Sequence, residues 1–442
     1  MKRGTAVLFV LALLLITGTL IAGCTILPGP NPPVTSSCQI EVPQGALEQP
    51  GDAGKVSADE AAVVAADNRF AYDMYLQLAR DPRYADGNIF FSPFSISSAF
   101  AIAYEGARTT TADQIRSVFS YPAETQKLRM GYARSVAHLA GGDRNFTLCT
   151  ANALWAEKTY PFLPAYTDTV RYWYAANATN LDFIGQPDAS RQTINAWVAG
   201  RTNNKITDLL APGTVDPSTR LGITNAVYFK GTWERQFDPK NTQDADFHSS
   251  PAKTVTVKMM EQTDEEAHYL YAETADLQML SMPYKHGIGS GLSMVVLLPR
   301  NSSLQAAVAA LDPENLTALE QNATTRRVMV YFPKFTTRTD YSLAGPLAAM
   351  GMPDAFGSAA DFSGMDGTRN LNISSVIHSA YVSVDEEGTE AAAATAIMMG
   401  AGAAAPEMPV VFRADHPFII LIQDNDTKTI LFIGRIVNPA SP

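Results

Sequence analysis

Short runs of branched and aromatic residues, scattered irregularly from Thr147 to Ile436, constrain this chain more than any other feature. They fall at Thr147–Leu154, Gly222–Phe229, Met294–Leu298, Val328–Phe332, Ile419–Leu421 and Ile430–Ile436, and each has the length and composition of a strand. The last two flank Asp424-Asn425-Asp426, which reads as a hairpin turn. Helical signals are interleaved with them. Ser57-Ala58-Asp59-Glu60 has the pattern of a capping box with acidic residues in the first turn. Phe70, Met74 and Leu78 follow at helical spacing, and a second helix is expected from near Ser190, where Ile194 and Val198 stand four apart with Trp197 beside them. Strands and helices do not alternate regularly and nothing repeats at a fixed period, so the expectation is a mixed α+β fold.

The N-terminus carries an address. Lys2 and Arg3 precede an apolar stretch over 6–23, and no charged residue appears between Arg3 and Glu41. A positive start, an apolar core and small residues at its end make a secretory signal. Ile21-Ala22-Gly23-Cys24 resembles the lipobox of prokaryotic lipoproteins, which implies cleavage before Cys24 and lipid attachment there. Residues 1–23 are therefore expected as a lipoprotein-type signal peptide. Residues 24–56, with Pro28, Pro30, Pro32, Pro33, Pro43 and Pro50, are expected as a linker reaching about 30 Å. The protein would be exported and held at a prokaryotic cell surface by a membrane anchor at Cys24, or secreted if the anchor is not used. Cys38 and Cys149 are too few for a disulfide framework. Cys149 reads as a small core residue, and a bond between the two stays open.

Catalysis finds little support. None of His138, His248, His268, His286, His378 and His416 forms an HExxH pair or another cluster with zinc-like spacing. There is no GxSxG elbow, phosphate-cradling loop or dinucleotide fingerprint. A net charge of −11 without a basic run argues against nucleic acid as a partner. Neither a cofactor nor a metal is expected.

One segment behaves oddly. Residues 386–405 read EEGTEAAAATAIMMGAGAAA, with alanines that favour a helix, glycines that do not, and no amphipathic stripe. A linker or a plain helix is one reading. An extended chain is another: Thr389, Ala391, Ala393, Thr395, Ile397 and Met399 would then share one face, with Glu390, Ala392, Ala394 and Ala396 on the other. Such a segment can enter a sheet without forcing bulk into a packed core, or stay outside as a loop.

A family resemblance joins these pieces. Asn88-Ile89-Phe90-Phe91-Ser92-Pro93-Phe94-Ser95-Ile96, Thr150-Ala151-Asn152-Ala153-Leu154-Trp155 and Thr224-Asn225-Ala226-Val227-Tyr228-Phe229-Lys230-Gly231-Thr232-Trp233 are similar to serpin signatures. Pro333-Lys334-Phe335, Asp361-Phe362-Ser363-Gly364-Met365, Phe412-Arg413-Ala414-Asp415-His416-Pro417-Phe418 and Phe432-Ile433-Gly434-Arg435-Ile436-Val437-Asn438-Pro439 follow in family order. The resemblance runs from about Asn68 to Pro439. It implies one serpin domain over 57–442, monomeric, with three β-sheets, about nine α-helices and an exposed reactive-centre loop at about 386–408.

It also implies a suicide inhibitor of serine proteases rather than an enzyme. A protease cleaves the loop, forms its acyl-enzyme and is dragged and distorted as the loop enters the large sheet, behaviour established for this family. Glu386, Glu387, Gly388, Thr389, Glu390, Ala391, Ala392, Ala393 and Ala394 match the hinge of inhibitory members. Ser92, Ser95, Asn225 and His378 resemble a polar cluster beneath the sheet where strands part, Trp233 would sit near the point of loop entry, and His416 reads as structural. The scissile region spans Met399, Gly400, Ala401, Gly402, Ala403 and Ala404. These residues are small or methionine, so proteases with shallow apolar pockets, elastase-like or subtilisin-like, are the expected targets. A non-inhibitory serpin, cleaved as a substrate or acting as a binding protein, is the rival reading.

Overall fold

A computed structural model describes residues 40–48, 55–141, 146–287, 291–301, 303–389 and 408–441. The expected signal peptide, Cys24, Cys38, Glu390–Ala394 and Met399–Ala404 all lie outside the described residues. Ser36–Pro442 clusters as one compact unit, and the remaining unit, Met1–Thr35, falls wholly outside them.

Eleven α-helices are present among the described residues. In chain order they are α1 (Gln44–Glu48), α2 (Ala58–Arg80), α3 (Pro93–Gly106), α4 (Thr109–Val118), α5 (Thr125–Ala140) and α6 (Pro164–Tyr174). Then come α7 (Pro187–Arg201), α8 (Gln305–Ala310), α9 (Pro313–Gln321), α10 (Ala344–Met350) and α11 (Ser363–Asp366). Nine of them span six residues or more, and α1 and α11 are the two shorter turns. The strands are β1 (Ile89–Phe91), β2 (Phe146–Glu157), β3 (Asn177–Leu181), β4 (Leu221–Thr232), β5 (Gln243–Ser250) and β6 (Lys253–Gln262). They continue with β7 (His268–Glu273), β8 (Leu277–Pro283), β9 (Leu292–Pro299), β10 (Thr324–Pro333) and β11 (Phe335–Ser342). The last are β12 (Ile373–Val384), β13 (Gly388–Thr389), β14 (Val410–Arg413), β15 (Phe418–Asp424) and β16 (Ile430–Ile436).

The helix expected at Ser57 forms as α2, with the Ser57 hydroxyl accepting the Glu60 N–H at 3.2 Å. Its Phe70, Met74 and Leu78 are fully buried. The expected second helix is α7, which begins at Pro187, three residues before Ser190, because proline suits the first turn.

One sheet runs β11-β12-β13-β4-β2-β3, and β12 also pairs directly with β4. The other strands follow β1-β16-β15-β9-β8-β7-β10-β6-β5, with β14 on β10. This second assembly is two sheets that share β10: Thr324–Arg327 pairs with β7, whereas later residues pair with β6 and β14. The three expected sheets are present, two of them joined through that strand. The hairpin expected at Asp424 links β15 to β16, and the Asp424 carboxylate accepts the N–H of Asp426 at 3.1 Å and of Thr427 at 2.7 Å. Phe229 of β4 meets Phe432 of β16 at 6.0 Å and Tyr284 at 5.1 Å, joining the two layers.

One expectation needs correction, and one open question is answered in part. The stretch expected as a linker through residue 56 includes Ile40–Glu48, which packs on the domain and whose Gln44–Glu48 part forms α1. Cys149, expected as a small core residue, is buried and also disulfide-bonded, and its partner lies outside the described residues.

Candidate functional site: the opening between β4 and β12

β4 and β12 run parallel and pair from Leu221 opposite Ile373 to Tyr228 opposite Tyr381. Beyond that point they separate and β13 lies between them. Thr389 pairs with Val384 on one side and Gly231 on the other, and Gly388 pairs with Thr232. Gly388 and Thr389 therefore form a two-residue strand antiparallel to both walls.

Specific contacts hold this entry. Trp233 is buried and stacks on Tyr284 with ring centroids 4.6 Å apart. Its backbone N–H donates to the Glu387 carbonyl at 2.9 Å, and its indole N–H to the Asp385 carbonyl at 3.0 Å. The Tyr284 hydroxyl bonds the Thr389 hydroxyl at 2.9 Å, and both side chains are fully buried. Burial raises the Tyr284 phenol far above its usual range, so it stays a neutral partner. Gly388 has φ +151°, and a Cβ there would sit 2.1 Å from the Gly231 carbonyl oxygen. Only glycine fits this close approach.

The mouth is closed by charge. The Glu386 carboxylate pairs with the Lys334 ammonium at 2.6 Å and accepts the Thr242 hydroxyl at 2.6 Å. Burial pushes this carboxyl up, but the Lys334 and Thr242 contacts outweigh it and hold the group below the usual carboxylate range. Lys334, Thr242 and Tyr284 were assigned no role from sequence. They come from segments 52 to 144 residues distant from Glu386 and Thr389, and nothing local marks the pairing.

Deeper in the sheet a polar cluster ties the walls together. His378 of β12 and Asn225 of β4 are register partners. The imidazole Nδ1–H donates to the Asn225 side-chain oxygen, and Nε2 accepts the Ser92 backbone N–H at 3.1 Å. Both nitrogens are thus satisfied by the neutral ring, and burial pushes its pKa down to about 3. The Asn225 amide donates to the Ser95 hydroxyl at 2.7 Å and to the Asn152 side-chain oxygen at 2.6 Å. The Ser92 hydroxyl caps α3 by accepting the Ser95 N–H at 3.3 Å. The structure brings Ser92, Ser95, Asn225 and His378 into one hydrogen-bonded group. Asn152 is an addition: its amide also reaches the Ser98 hydroxyl at 2.8 Å. Trp233 lies in the separate group at the entry. His416 sits apart, donating from Nε2 to the Pro299 carbonyl at 2.7 Å and pairing with Asp415 at 2.9 Å, contacts that suit a structural role.

β4 and β12 are thus parted at one end, with the two residues of β13 seated between them. The family model described as Serpin (serine protease inhibitor) matches residues 65–439, and the chain belongs to the serpin family. It is 41% identical over 380 residues to an uncharacterized serpin-like protein of Methanosarcina acetivorans, covering 85% of this chain and 88% of that one. It is 40% identical to the leukocyte elastase inhibitor of Bos taurus, covering 85% and 99%. Among solved structures, uncleaved ovalbumin superposes with a TM-score of 0.75 at 31% identity, covering 86% of this chain and all of that one. Human thyroxine-binding globulin in complex with its hormone gives 0.78 at 27% identity, covering 86% and 100%.

Proposed function

We propose that this chain inhibits serine endopeptidases by trapping them as an acyl complex. The observation that carries the reading is the register of β13, which is aligned with both walls at once. Continued along the same register, Met399 would come opposite Leu221 of β4 and Ser374 of β12, at the foot of each strand. The eleven residues Thr389–Met399 therefore match the slot in length. Ala391, Ala393, Thr395, Ile397 and Met399 would follow Thr389 onto one face, small first and larger later.

A target serine attacks the scissile carbonyl between Met399 and Ala404, the C-terminal segment leaves with a new amino group, and the ester links protease to loop. Insertion of Thr389–Met399 then outpaces hydrolysis of that ester. The scissile region offers no Lys, Arg or aromatic side chain, so a shallow apolar pocket suits it best. The similarity to an elastase inhibitor is consistent with that choice. For the N-terminus the same reading is export, cleavage before Cys24 and lipid attachment at that residue, which places the inhibitor at a cell surface. Mass analysis of the N-terminal peptide, with Cys24→Ser as control, tests this.

The inhibitor reading is tested by mixing the protein with pancreatic elastase, subtilisin and trypsin. The expected result is a complex that survives boiling in detergent with one of the first two, and a released peptide beginning after a residue from Met399 to Ala404. Cleavage there without a complex would establish the non-inhibitory reading instead.

A further inference from the structure

An added strand needs about 4.8 Å of new width between β4 and β12, so one half of the sheet must slide over the helices beneath. The β11–β12 half is fastened to the core: the Tyr341 hydroxyl accepts the Phe90 N–H at 3.2 Å, and Thr339 donates to the Phe90 carbonyl. The β4-β2-β3 half rests on α3 beside a cavity of about 80 Å³, whose lining includes Phe94, Tyr132, Leu148 and Asn152. This half is also bonded to α3, through Asn225 to Ser95 and Asn152 to Ser98, but the void beside it gives it room to move once those bonds break.

Ile40 and Glu41 form part of that cavity's wall. The segment they open reaches both sides of the sliding surface. At one end Glu41 pairs with Arg201 at 2.7 Å, and Arg201 closes α7, whose Ile194 and Val198 pack on Ala151, Ala153 and Trp155 of β2. At the other end Gly45 lies so close to the Trp173 ring that a Cβ would be 2.4 Å from it, and Glu48 accepts the Tyr172 hydroxyl at 2.6 Å. Trp173 and Tyr172 belong to α6, which is held to α3 by the Tyr166 hydroxyl donating to the Ile102 carbonyl at 3.0 Å.

We infer that Ile40–Glu48 is a built-in clamp that ties the β4-β2-β3 half of the sheet to α6 and opposes its opening. This rests on the insertion reading above. By reciprocity, whatever opens the sheet must loosen the clamp, and releasing the clamp must ease opening.

The test uses the full chain and a synthetic peptide with the sequence of residues 389–399, whose uptake into the sheet is followed on native gels without any protease. Glu41→Arg and Gly45→Leu, each checked for native circular dichroism, are expected to take up the peptide about tenfold faster than the parent. Hydrogen exchange at residues 40–48 is expected to rise once the peptide is bound. Equal uptake rates with unchanged exchange would overturn the clamp while leaving insertion standing. Failure of every form to take up peptide would overturn insertion, and the clamp with it.

Discussion

His378 and Asn225 occupy paired positions on β12 and β4, and the imidazole Nδ1–H donates to the asparagine side-chain oxygen across the junction that an inserted strand must open. The bond is buried and both partners are otherwise satisfied, so it can break only if water or a new strand replaces it.

Replacing Asn225 with leucine leaves the His378 Nδ1–H buried without an acceptor and removes the tie to Ser95 and Asn152. A loss of about 1–3 kcal/mol in unfolding free energy is expected from urea titration, with faster peptide uptake at the same time. A variant that loses stability but keeps its uptake rate would show the cluster to be merely structural.

Acidity should act through the same histidine. In the native protein its pKa is pushed down to about 3, against an ordinary value of 6.5. Unfolded chains take up a proton as pH falls through 6.5, and the native ring does so only near 3. The contribution is therefore complete above about pH 7 and lost across that window, by about 1.4 kcal/mol per pH unit. Stability curves of wild type and His378→Gln, measured from pH 8 to 4, should converge as pH drops.

At the mouth of the opening, Glu386→Gln removes the charge that faces Lys334 at 2.6 Å. A cost of about 1–3 kcal/mol is expected, because Lys334 keeps a half-exposed ammonium but loses its charge-assisted partner. Amide exchange at Asp385–Thr389 should accelerate. Exchanging the two charges, Glu386→Lys with Lys334→Glu, should restore part of the protection.

Gly388→Ala should expel β13 from its place, since the new methyl group would collide with the Gly231 carbonyl. More of the protein would then be cleaved as plain substrate and less trapped, read as the ratio of cleaved to complexed inhibitor on a denaturing gel. An unchanged ratio would mean that the seated hinge does not bear on trapping.

Much of this was legible in the sequence where chemistry is local. The capping box at Ser57, the helical face through Phe70 and Leu78, the turn at Asp424 and the small-residue run after Gly388 all announce themselves within a few residues. Asn152 did not, because β2 is covered on both faces and its burial does not alternate cleanly. The docking of Ile40–Glu48 was hidden by surrounding prolines and by a helix too short to show a period. Lys334 and Glu386 are separated by 52 residues, and only the folded chain makes them neighbours.

The two residues of β13 have a kinetic consequence. In any ladder the first contact is the costly one, because it fixes chain without yet gaining a run of bonds. Here that contact exists in the uncut chain, where Gly388 and Thr389 are already paired across the gap between β4 and β12. In the proposed insertion, what would remain after a cut resembles closing a zipper whose slider is already engaged: no search for alignment, no competing offset, and a rate set by how quickly the two rows of teeth can be drawn apart.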